Sequence, residues 1–286
     1  MRKKNIGLVI STDIGYDPDD MAMLHFLRLT KVIPDVIITS NEIGQNRKLL
    51  LDKYLQLTNQ NISTFAGFER GCGNNFVFKI CNDCKNVDSD FMLSELHKLI
   101  INKDLTIIVS SGCLTNVSEL IKKYPRDVER ILVLAMVSSW KKNFGASEAN
   151  AKNDVSAVKR VLRKCKRLKI VVSDITINPS LAVDDNHWLI KYLTDSKDKG
   201  DRLILDNYKK WFKYKYPVSY LHDVLALSVL FGKWVSFEDK KVIVDKYGVL
   251  HENPRGHIIS ISKSVNYDDF NKYLYDLVFQ NTFNNA

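Results

Sequence analysis

The sequence predicts one α/β domain over residues 1–286, with a mostly parallel central β-sheet flanked by helices. Short apolar runs that suit buried strands alternate along the chain with longer segments that carry helical patterns. Of the 286 residues, 45% are hydrophobic, which is enough to bury one large core. An open sheet of this kind binds its ligands beyond the carboxyl ends of the strands.

The predicted strands are short, apolar and bounded by polar or turn-forming residues. They lie at 6–10, 35–40, 62–67, 105–109, 131–136 and 168–172. The predicted helices lie between and after them, at 21–27, 46–57, about 117–125, 155–162 and 187–193. A turn at 253–256 leads into a late strand.

The most informative stretch, residues 11–20, joins the first strand to the first helix and contains Asp13, Asp17, Asp19 and Asp20. Aspartates can cap a helix. Four carboxylates within eight residues nevertheless repel one another, and two charges ~4 Å apart cost about 4 kcal/mol at an effective dielectric near 20. A bound cation would turn this repulsion into binding. Because all candidate ligands are oxygens, the pattern favours Ca²⁺ or Mg²⁺ over zinc.

Two other aspartate-rich motifs do not fit this stretch. An EF-hand loop beginning at Asp13 would need Gly and Glu where Pro18 and Leu24 stand. A phosphotransferase that forms an aspartyl phosphate would need its nucleophilic Asp at the position of Ser11.

The stretch resembles the signature of the nucleoside hydrolases, Asp-Thr-Asp-x-Gly-x-Asp-Asp followed by a small, apolar helix. The resemblance implies a nucleoside hydrolase-like, Rossmann-like open sheet. It also implies that Asp13 is the general base beside the metal, that Asp19 binds the ribose hydroxyls and that Asp20 is a Ca²⁺ ligand. Two departures are Ser11, which replaces the first Asp, and two extra residues between Gly15 and Asp19.

Two later motifs resemble the same family. Residues 219–226 are similar to its His-Asp-x-x-Ala motif, which implies that Asp223 completes the Ca²⁺ site and that His222 is the proton donor to the leaving base. Residues 112–116 are similar to its Gly-Pro-Leu-Thr-Asn turn, whose Thr gives a backbone carbonyl to the ion. Thr115 takes this role by position.

The resemblance also implies the ribose ligands. Residues 146–154 are similar to the family's Ala-Glu-Phe-Asn-x-x-x-Asp segment, so that Glu148 and Asn150 bind the 5′ and 3′ hydroxyls and Asn143 contributes a further 5′ ligand. Asn41, which follows the second strand, is expected beside the ribose. The alternatives are a turn residue or N-cap for Asn41, and helix capping for Glu148 or Asn150, although capping needs only one of the two.

Residues 207–216 interleave aromatic residues with lysines, as in some proteins that bind single-stranded nucleic acid. At helical spacing the same residues bury Trp211 while the lysines face water, and we favour this arrangement. The resemblance implies that Trp211, Tyr216 and Tyr220 contact the nucleobase.

Composition and charge indicate which partners and which cellular compartment to expect. The net charge of +9 suits a nucleic-acid partner, but the lysines are scattered and no RNA- or DNA-binding signature is present, so we do not expect one. No apolar run is long enough for a membrane span or a secretory leader, and five cysteines lack a disulfide framework. We therefore expect a soluble, cytoplasmic protein without a membrane partner. Cys72, Cys81 and Cys84 are expected to be free thiols, because Cys81 and Cys84 have no second pair to complete a zinc site.

The resemblance runs from Ile6 to about Ile261 and implies a Ca²⁺-dependent hydrolase that cleaves ribonucleosides to free base and ribose. It further implies a homodimer or homotetramer that acts in purine and pyrimidine salvage. Two alternatives stay open. A catalytically impaired protein that binds a ribosyl ligand is motivated by Ser11 and by the unfamiliar loop at 68–90. A hydrolase of another ribosyl compound, such as a nucleotide, would suit the basic surface.

Overall fold

The structure is a computed structural model that describes residues 4–70, 76–78, 88–140 and 147–283. The predictions for Cys72, Cys81, Cys84 and Asn143 therefore lie outside the described residues. Within the described ranges, the chain forms an α/β domain with helices packed on a large mixed sheet. None of the helices in these ranges is long and apolar enough to cross a membrane.

Nine strands form one sheet in the order β10-β9-β11-β6-β5-β4-β1-β2-β3. They are β1 (Ile6–Thr12), β2 (Val36–Thr39), β3 (Ser63–Phe65), β4 (Leu105–Ser110), β5 (Ile131–Met136), β6 (Leu168–Val171), β9 (Val235–Val244), β10 (Leu250–Glu252) and β11 (His257–Val265). Neighbours from β11 to β3 pair in parallel, whereas β9 pairs antiparallel with β10 and β11. Two short strands, β7 (Ala182–Val183) and β8 (Ser219–Tyr220), form a separate antiparallel pair.

The helices in chain order are α1 (Asp19–Leu29), α2 (Asn46–Leu57), α3 (Ser89–Ile101), α4 (Thr115–Lys123), α5 (Ala149–Asn153), α6 (Val155–Lys164), α7 (Ser173–Thr176), α8 (Trp188–Asp195), α9 (Lys199–Tyr214), α10 (His222–Ser228) and α11 (Tyr267–Phe283). Short 3-10 turns occur at Pro125–Glu129 and Pro179–Leu181. The helix predicted at 46–57 and the strand predicted at 131–136 have the predicted bounds.

The sheet separates two hydrophobic cores. Consecutive residues of a strand point to opposite faces, so Ile10 and Leu134 belong to one core while Val9 and Val133 belong to the other. This burial on both faces explains why the predicted strands are almost continuously apolar.

Strand order fixes where a ligand site can form. Strand β1 lies between β4 and β2: the chain passes from β1 through β2 to β3 on one side and then crosses back to β4 on the other side. Such a reversal opens a crevice at the carboxyl ends of the strands. The acidic residues 13–20 follow β1 directly and therefore lie at this crevice.

Candidate metal centre and substrate cavity

A cavity of about 410 Å³ opens at the carboxyl ends of β1, β4 and β5. This volume is in the range of pockets that bind small molecules. Its lining residues are Asp13, Tyr16, Asp17, Asp19, Asp20, Ser111, Met136, Ser139, Ser147, Glu148, Ala149, Asn150, Ser173, Ile177, Trp211, Tyr216, His222 and Asp223. The described lining therefore brings together segments that are more than 200 residues apart in the sequence.

Three carboxylates form the centre of the acidic cluster. Asp19 and Asp20 begin α1, and Asp223 lies in the first turn of α10. One ligand oxygen from each side chain can be chosen so that all three lie within 4.8 Å of one another, and each residue is at least 96% buried. The amino ends of two helices thus point negatively charged groups at one another, in a geometry suited to a metal ion.

Hydrogen bonds fix the orientation of these carboxylates. The hydroxyls of Thr12 and Ser111 donate to Asp20 Oδ1 at 2.5 and 2.8 Å. Asp19 Oδ1 accepts from the backbone N–H of Asp20 at 3.1 Å, and Asp19 Oδ2 accepts from that of Asp223 at 3.4 Å. The cluster is therefore held by the ends of β1 and β4 as well as by its own helices.

The concentration of buried carboxylates in the cluster favours the binding of a cation. Burial, with the nearby charge of Asp13, raises the pKa of Asp20 to about 8. Burial and the neighbouring carboxylates also raise the pKa values of Asp19 and Asp223 well above their usual range. No Lys or Arg is present in the described lining. A divalent cation would supply the missing positive charge, and the all-oxygen donor set fits Ca²⁺ or Mg²⁺.

Asp13 and Asp17 extend the acidic surface. Burial raises the pKa of Asp13, although the charge of Arg47 opposes the shift. Asp17 Oδ1 accepts a hydrogen bond from Ser219 Oγ at 2.6 Å, and burial raises the pKa of Asp17 to about 7. Asp17 thus links the acidic turn to β8, just before the His222–Asp223 motif.

His222 opens α10 and lies in the cavity wall next to Asp223. Its Nδ1 is 2.6 Å from the hydroxyl oxygen of the buried Thr176. Burial lowers the pKa of His222 to about 4, so the imidazole is neutral at neutral pH. Tyr220, a predicted base contact, is not in the described lining, but its ring centroid lies 5.6 Å from that of His222.

Glu148 and Asn150 line the cavity and also make structural hydrogen bonds. Glu148 accepts from the backbone N–H groups of Asn150 (2.6 Å), Ala151 (2.8 Å) and Ser138 (2.7 Å), and so caps α5. Burial raises its pKa to about 7. Asn150 Nδ2 donates to the carbonyl of Ser111 at 2.7 Å, which ties α5 to the end of β4. The capping alternative thus accounts for these contacts of Glu148, and its role in ribose binding stays a prediction.

Aromatic side chains form another wall of the cavity. Trp211, which is buried, donates from its indole N–H to the carbonyl of Val218 at 2.9 Å. Tyr16 meets Trp211 edge-on at 5.2 Å, and the ring of Tyr216 is 5.5 Å from that of Trp211. The helix predicted to bury Trp211 is α9, and Trp211 also faces the cavity.

Besides Tyr220, three residues named from the sequence lie outside the described lining. Thr115 begins α4, and its hydroxyl donates to Asp154 at 2.7 Å. Asn41 is 99% buried with φ of 50°, and neither atom of its side-chain amide has a hydrogen-bond partner within the described ranges. Ser11 Oγ accepts from Asn116 at 3.3 Å. The Ser11 side chain therefore belongs to the packing behind the site.

Arg47 and Tyr16 were missed as site residues, and Asp17 was named only as one of the four carboxylates of the acidic turn. Tyr16 and Asp17 fall in the extra residues of the acidic turn, where the family motif offers no position for comparison. Arg47 lies beneath the cluster, and its guanidinium donates to backbone carbonyls of two loops. An arginine near the start of a helix carries no motif, so the sequence contained no signal for this contact.

The chain was compared with known proteins. The model of the family described as inosine-uridine preferring nucleoside hydrolase matches residues 8–272. An inosine-guanosine nucleoside hydrolase is similar in structure, with 17% identity, a TM-score of 0.76 and coverage of 96% of this chain and 98% of that one. A plant nucleoside hydrolase has 16% identity and a TM-score of 0.74, with 96% and 99% coverage. An inosine-uridine preferring nucleoside hydrolase from Bacillus anthracis has 16% identity and a TM-score of 0.73, with 95% and 98% coverage. No protein of curated function matches the sequence.

Proposed function

Since the chain belongs to the inosine-uridine preferring nucleoside hydrolase family, we propose that it is a Ca²⁺-dependent hydrolase that cleaves ribonucleosides to free base and ribose. The observation that carries the proposal is the buried group of Asp19, Asp20 and Asp223 in a cavity of about 410 Å³. A carboxylate cluster with this burial is suited to a metal and a small polyhydroxyl ligand rather than to structural packing.

The residues present fit a calcium ion. Asp13, Asp20 and Asp223 supply carboxylate oxygens and Thr115 a backbone carbonyl, which are the hard donors that Ca²⁺ prefers. Burial and the neighbouring carboxylates raise the pKa values of Asp20 and Asp223, and a bound cation would oppose both effects. When bound, the ion supplies positive charge that holds the sugar diol and lowers the pKa of a water molecule.

Asp13 is the general base of the proposed reaction. Its carboxylate accepts a proton from the attacking water, whose oxygen forms a bond to the anomeric carbon. The bond from that carbon to the base nitrogen breaks, and its electron pair leaves with the base. The sugar carries oxocarbenium character in the transition state, as in other glycoside hydrolyses.

His222 assists departure of the base. Thr176 engages Nδ1 of the imidazole, so Nε2 remains for the leaving group. Because the imidazole is neutral at neutral pH, the assistance begins as a hydrogen bond from an Nε2–H tautomer rather than from an imidazolium.

The remaining polar residues position the ribose, and the aromatic residues contact the base. The proposed ribose ligands are Asp19, Asn41, Asn143, Glu148 and Asn150. The burial of the Asn41 amide without a described partner supports its place in this set. The proposed base contacts are Trp211 and Tyr220, with Tyr16 and Tyr216 completing the wall around Trp211.

The test is release of free base from a panel of ribonucleosides, with and without calcium. Asp13→Asn is expected to lower kcat by about 10³-fold, because it removes the general base and leaves the cavity shape unchanged. The matched control is Asp195→Asn, an exposed aspartate of α8, which should keep the wild-type rate. Equal rates for Asp13→Asn and wild type at saturating calcium would contradict the proposal.

The same panel should include nucleoside 5′-monophosphates. The described lining has many carboxylates and no Lys or Arg, so unphosphorylated nucleosides should react faster. Calcium binding without release of any base would instead favour the ribosyl-binding alternative.

The proposal also includes a homodimer or homotetramer in the cytoplasm that serves purine and pyrimidine salvage, and light scattering tests the assembly.

A further inference from the structure

Arg47 is a fully buried arginine at the start of α2. Its Nε donates to the carbonyl of Asn41 at 2.9 Å, and its Nη1 donates to the carbonyl of Ile14 at 2.7 Å and to that of Asp13. Burying a guanidinium is costly unless its N–H groups are satisfied. Here one side chain contacts three main-chain carbonyls in two separate segments of the chain.

These carbonyls belong to two different loops. Asp13 and Ile14 follow β1, whereas Asn41 follows β2, and the two strands are paired neighbours in the sheet. The residues at the two contact points are the proposed base, Asp13, and the proposed ribose ligand, Asn41. Arg47 binds only their main chains in the described contacts, which leaves the two side chains for substrate.

Arg47 is itself held on more than one side. Its backbone N–H donates to Glu42 Oε1 at 2.8 Å, and Glu42 also accepts from the hydroxyl of Thr39 in β2. The ring centroid of Phe76 lies 5.7 Å from the guanidinium carbon. The start of α2 is thus fixed to β2. The guanidinium therefore has a fixed position from which it contacts both loops.

Each of the two loops contains a residue with positive φ. Asn41 has φ of 50° and Gly15 has φ of 99°, both in the left-handed region. A Cβ on Gly15 would lie 2.3 Å from an atom of Phe76, so only glycine fits there. An L-residue such as Asn41 adopts this conformation when its surroundings enforce it. The bond from Arg47 to the Asn41 carbonyl is such a constraint.

The geometry points to Arg47 as a positioning residue that fixes the Asp13 and Asn41 loops relative to each other. Its kinetic consequence rests on the proposed function. A reacting group displaced by ~1 Å can lose about 10²-fold in rate. Lysine keeps the charge but has a single nitrogen donor instead of a planar fork, so it cannot reproduce the bridge between the loops.

The experiment compares Arg47→Lys with Arg28→Lys, which makes the same change in the last turn of α1. Hydrogen exchange is followed by mass spectrometry in residues 13–17 and 41–48, and kcat and KM are measured at saturating calcium. For Arg47→Lys we expect exchange to rise about tenfold or more in both segments together, with kcat lowered by about 10²-fold. For Arg28→Lys we expect both segments to keep wild-type exchange.

Unchanged exchange in either segment, or a uniform rise over the whole chain, would overturn the inference. If Arg47→Lys does not fold, Arg47→Gln, which keeps two N–H donors, is measured with the same expectation. The exchange result does not depend on turnover. An inactive wild-type protein would therefore count against the proposed function while the exchange data still decide the role of Arg47.

A double variant separates positioning from a general loss of stability. If Arg47 acts through Asn41, adding Asn41→Ala to Arg47→Lys should lower kcat by less than about threefold further, because the ribose ligand is already misplaced. Independent effects that multiply would overturn the inference.

Discussion

Helix α1 has a group of buried charged side chains at each end. At its amino end, burial and the nearby charge of Asp13 raise the pKa of Asp20 to about 8. At its carboxyl end, burial alone would raise the pKa of Asp201, but hydrogen bonds from His25 and Ser196 lower it to about 2, as do the charges of His25 and Arg28. The same residue type at similar burial thus has opposite pKa shifts.

The groups that contact each aspartate explain why the pKa shifts of Asp20 and Asp201 are opposite. Asp201 lies 2.8 Å from Arg28 Nη2 and 3.1 Å from His25 Nδ1, and it accepts from Ser196 Oγ at 2.7 Å. Asp20 accepts only from two hydroxyls in the described contacts and faces other carboxylates. The carboxyl-end group therefore stabilises the fold by itself, whereas the amino-end group is arranged to gain stability from a cation.

The largest effect on stability is expected at the carboxyl end. Asp201→Asn should lower the free energy of unfolding by about 3 kcal/mol, because His25 and Arg28 lose the buried carboxylate that they share and Arg28 keeps only the more exposed Asp198. Urea unfolding in the presence of EDTA measures this loss. Asp195→Asn, which changes an exposed aspartate of α8, should stay within about 0.5 kcal/mol of wild type. A loss below ~1 kcal/mol for Asp201→Asn would mean that the ion pair is dispensable.

Calcium binding should have the next largest effect on stability, and it should act only through the carboxylates at the amino end of α1. At a free calcium concentration 100-fold above its dissociation constant, the ion should stabilise wild type by about 2.7 kcal/mol. Asp223→Asn should lose most of this gain because it removes a ligand, while Asp201→Asn should retain it. Thermal unfolding with calcium or EDTA provides the comparison, and equal calcium shifts for wild type and Asp223→Asn would argue against this metal centre.

Without metal, Asp20→Asn is expected to stabilise the protein by about 2 kcal/mol at pH 7, because Asp20, with a folded pKa of about 8, must bind a proton on folding and the amide need not. The sign is opposite to that for Asp201→Asn and gives the sharpest contrast between the two ends. Chemical unfolding in EDTA at pH 7 measures both variants side by side. Destabilisation by Asp20→Asn would show that its hydrogen bonds outweigh the repulsion.

The pH dependence distinguishes the two ends of α1 by its sign. The folded pKa of Asp20 lies above its ordinary value of 3.8, so its contribution is full below about pH 4 and is lost as the pH rises toward 8. The folded pKa of Asp201 lies below 3.8, so its contribution is present above that value and is lost as the pH falls toward 2. Unfolding of the metal-free protein between pH 4 and 8 should show declining stability, and calcium or Asp20→Asn should reduce the slope. A slope that is unaffected by both would contradict the assignment to this cluster.

The sequence predicted the parts of the site that follow strands or begin helices. Asp19 and Asp20 lie at the start of α1 and Asp223 at the start of α10, as the local patterns indicated. Parallel strands bring positions that follow β1, β4 and β5 to one edge of the sheet. That Asp223 joins them was implied by the family resemblance and not by local structure, because β8, which precedes α10, pairs with β7 outside this sheet.

Contacts that depend on tertiary packing could not be foreseen. The hydrogen bond from Ser219 to Asp17 joins residues 202 positions apart, and the contact of Arg47 with Asp13 crosses between two loops. Neither leaves a periodic signal in the sequence. The role of Glu148 could not be decided from the sequence either, because one carboxylate can cap a helix or bind a sugar. Its capping hydrogen bonds are visible only in the folded backbone.

The strand β9 was also not predicted, although it is ten residues long. Charged residues at 238–241 interrupt its apolar pattern, and the segment is strand because it pairs along β11. Here pairing with a distant strand outweighs weak local preference.

The two borders of the sheet bear on how copies of the chain can associate. Both border strands, β3 and β10, are only three residues long. Short border strands present few unpaired backbone groups, so one sheet cannot readily continue into that of a neighbour. A homodimer or homotetramer of this chain would therefore be joined through helices and loops, and its subunits would keep separate sheets.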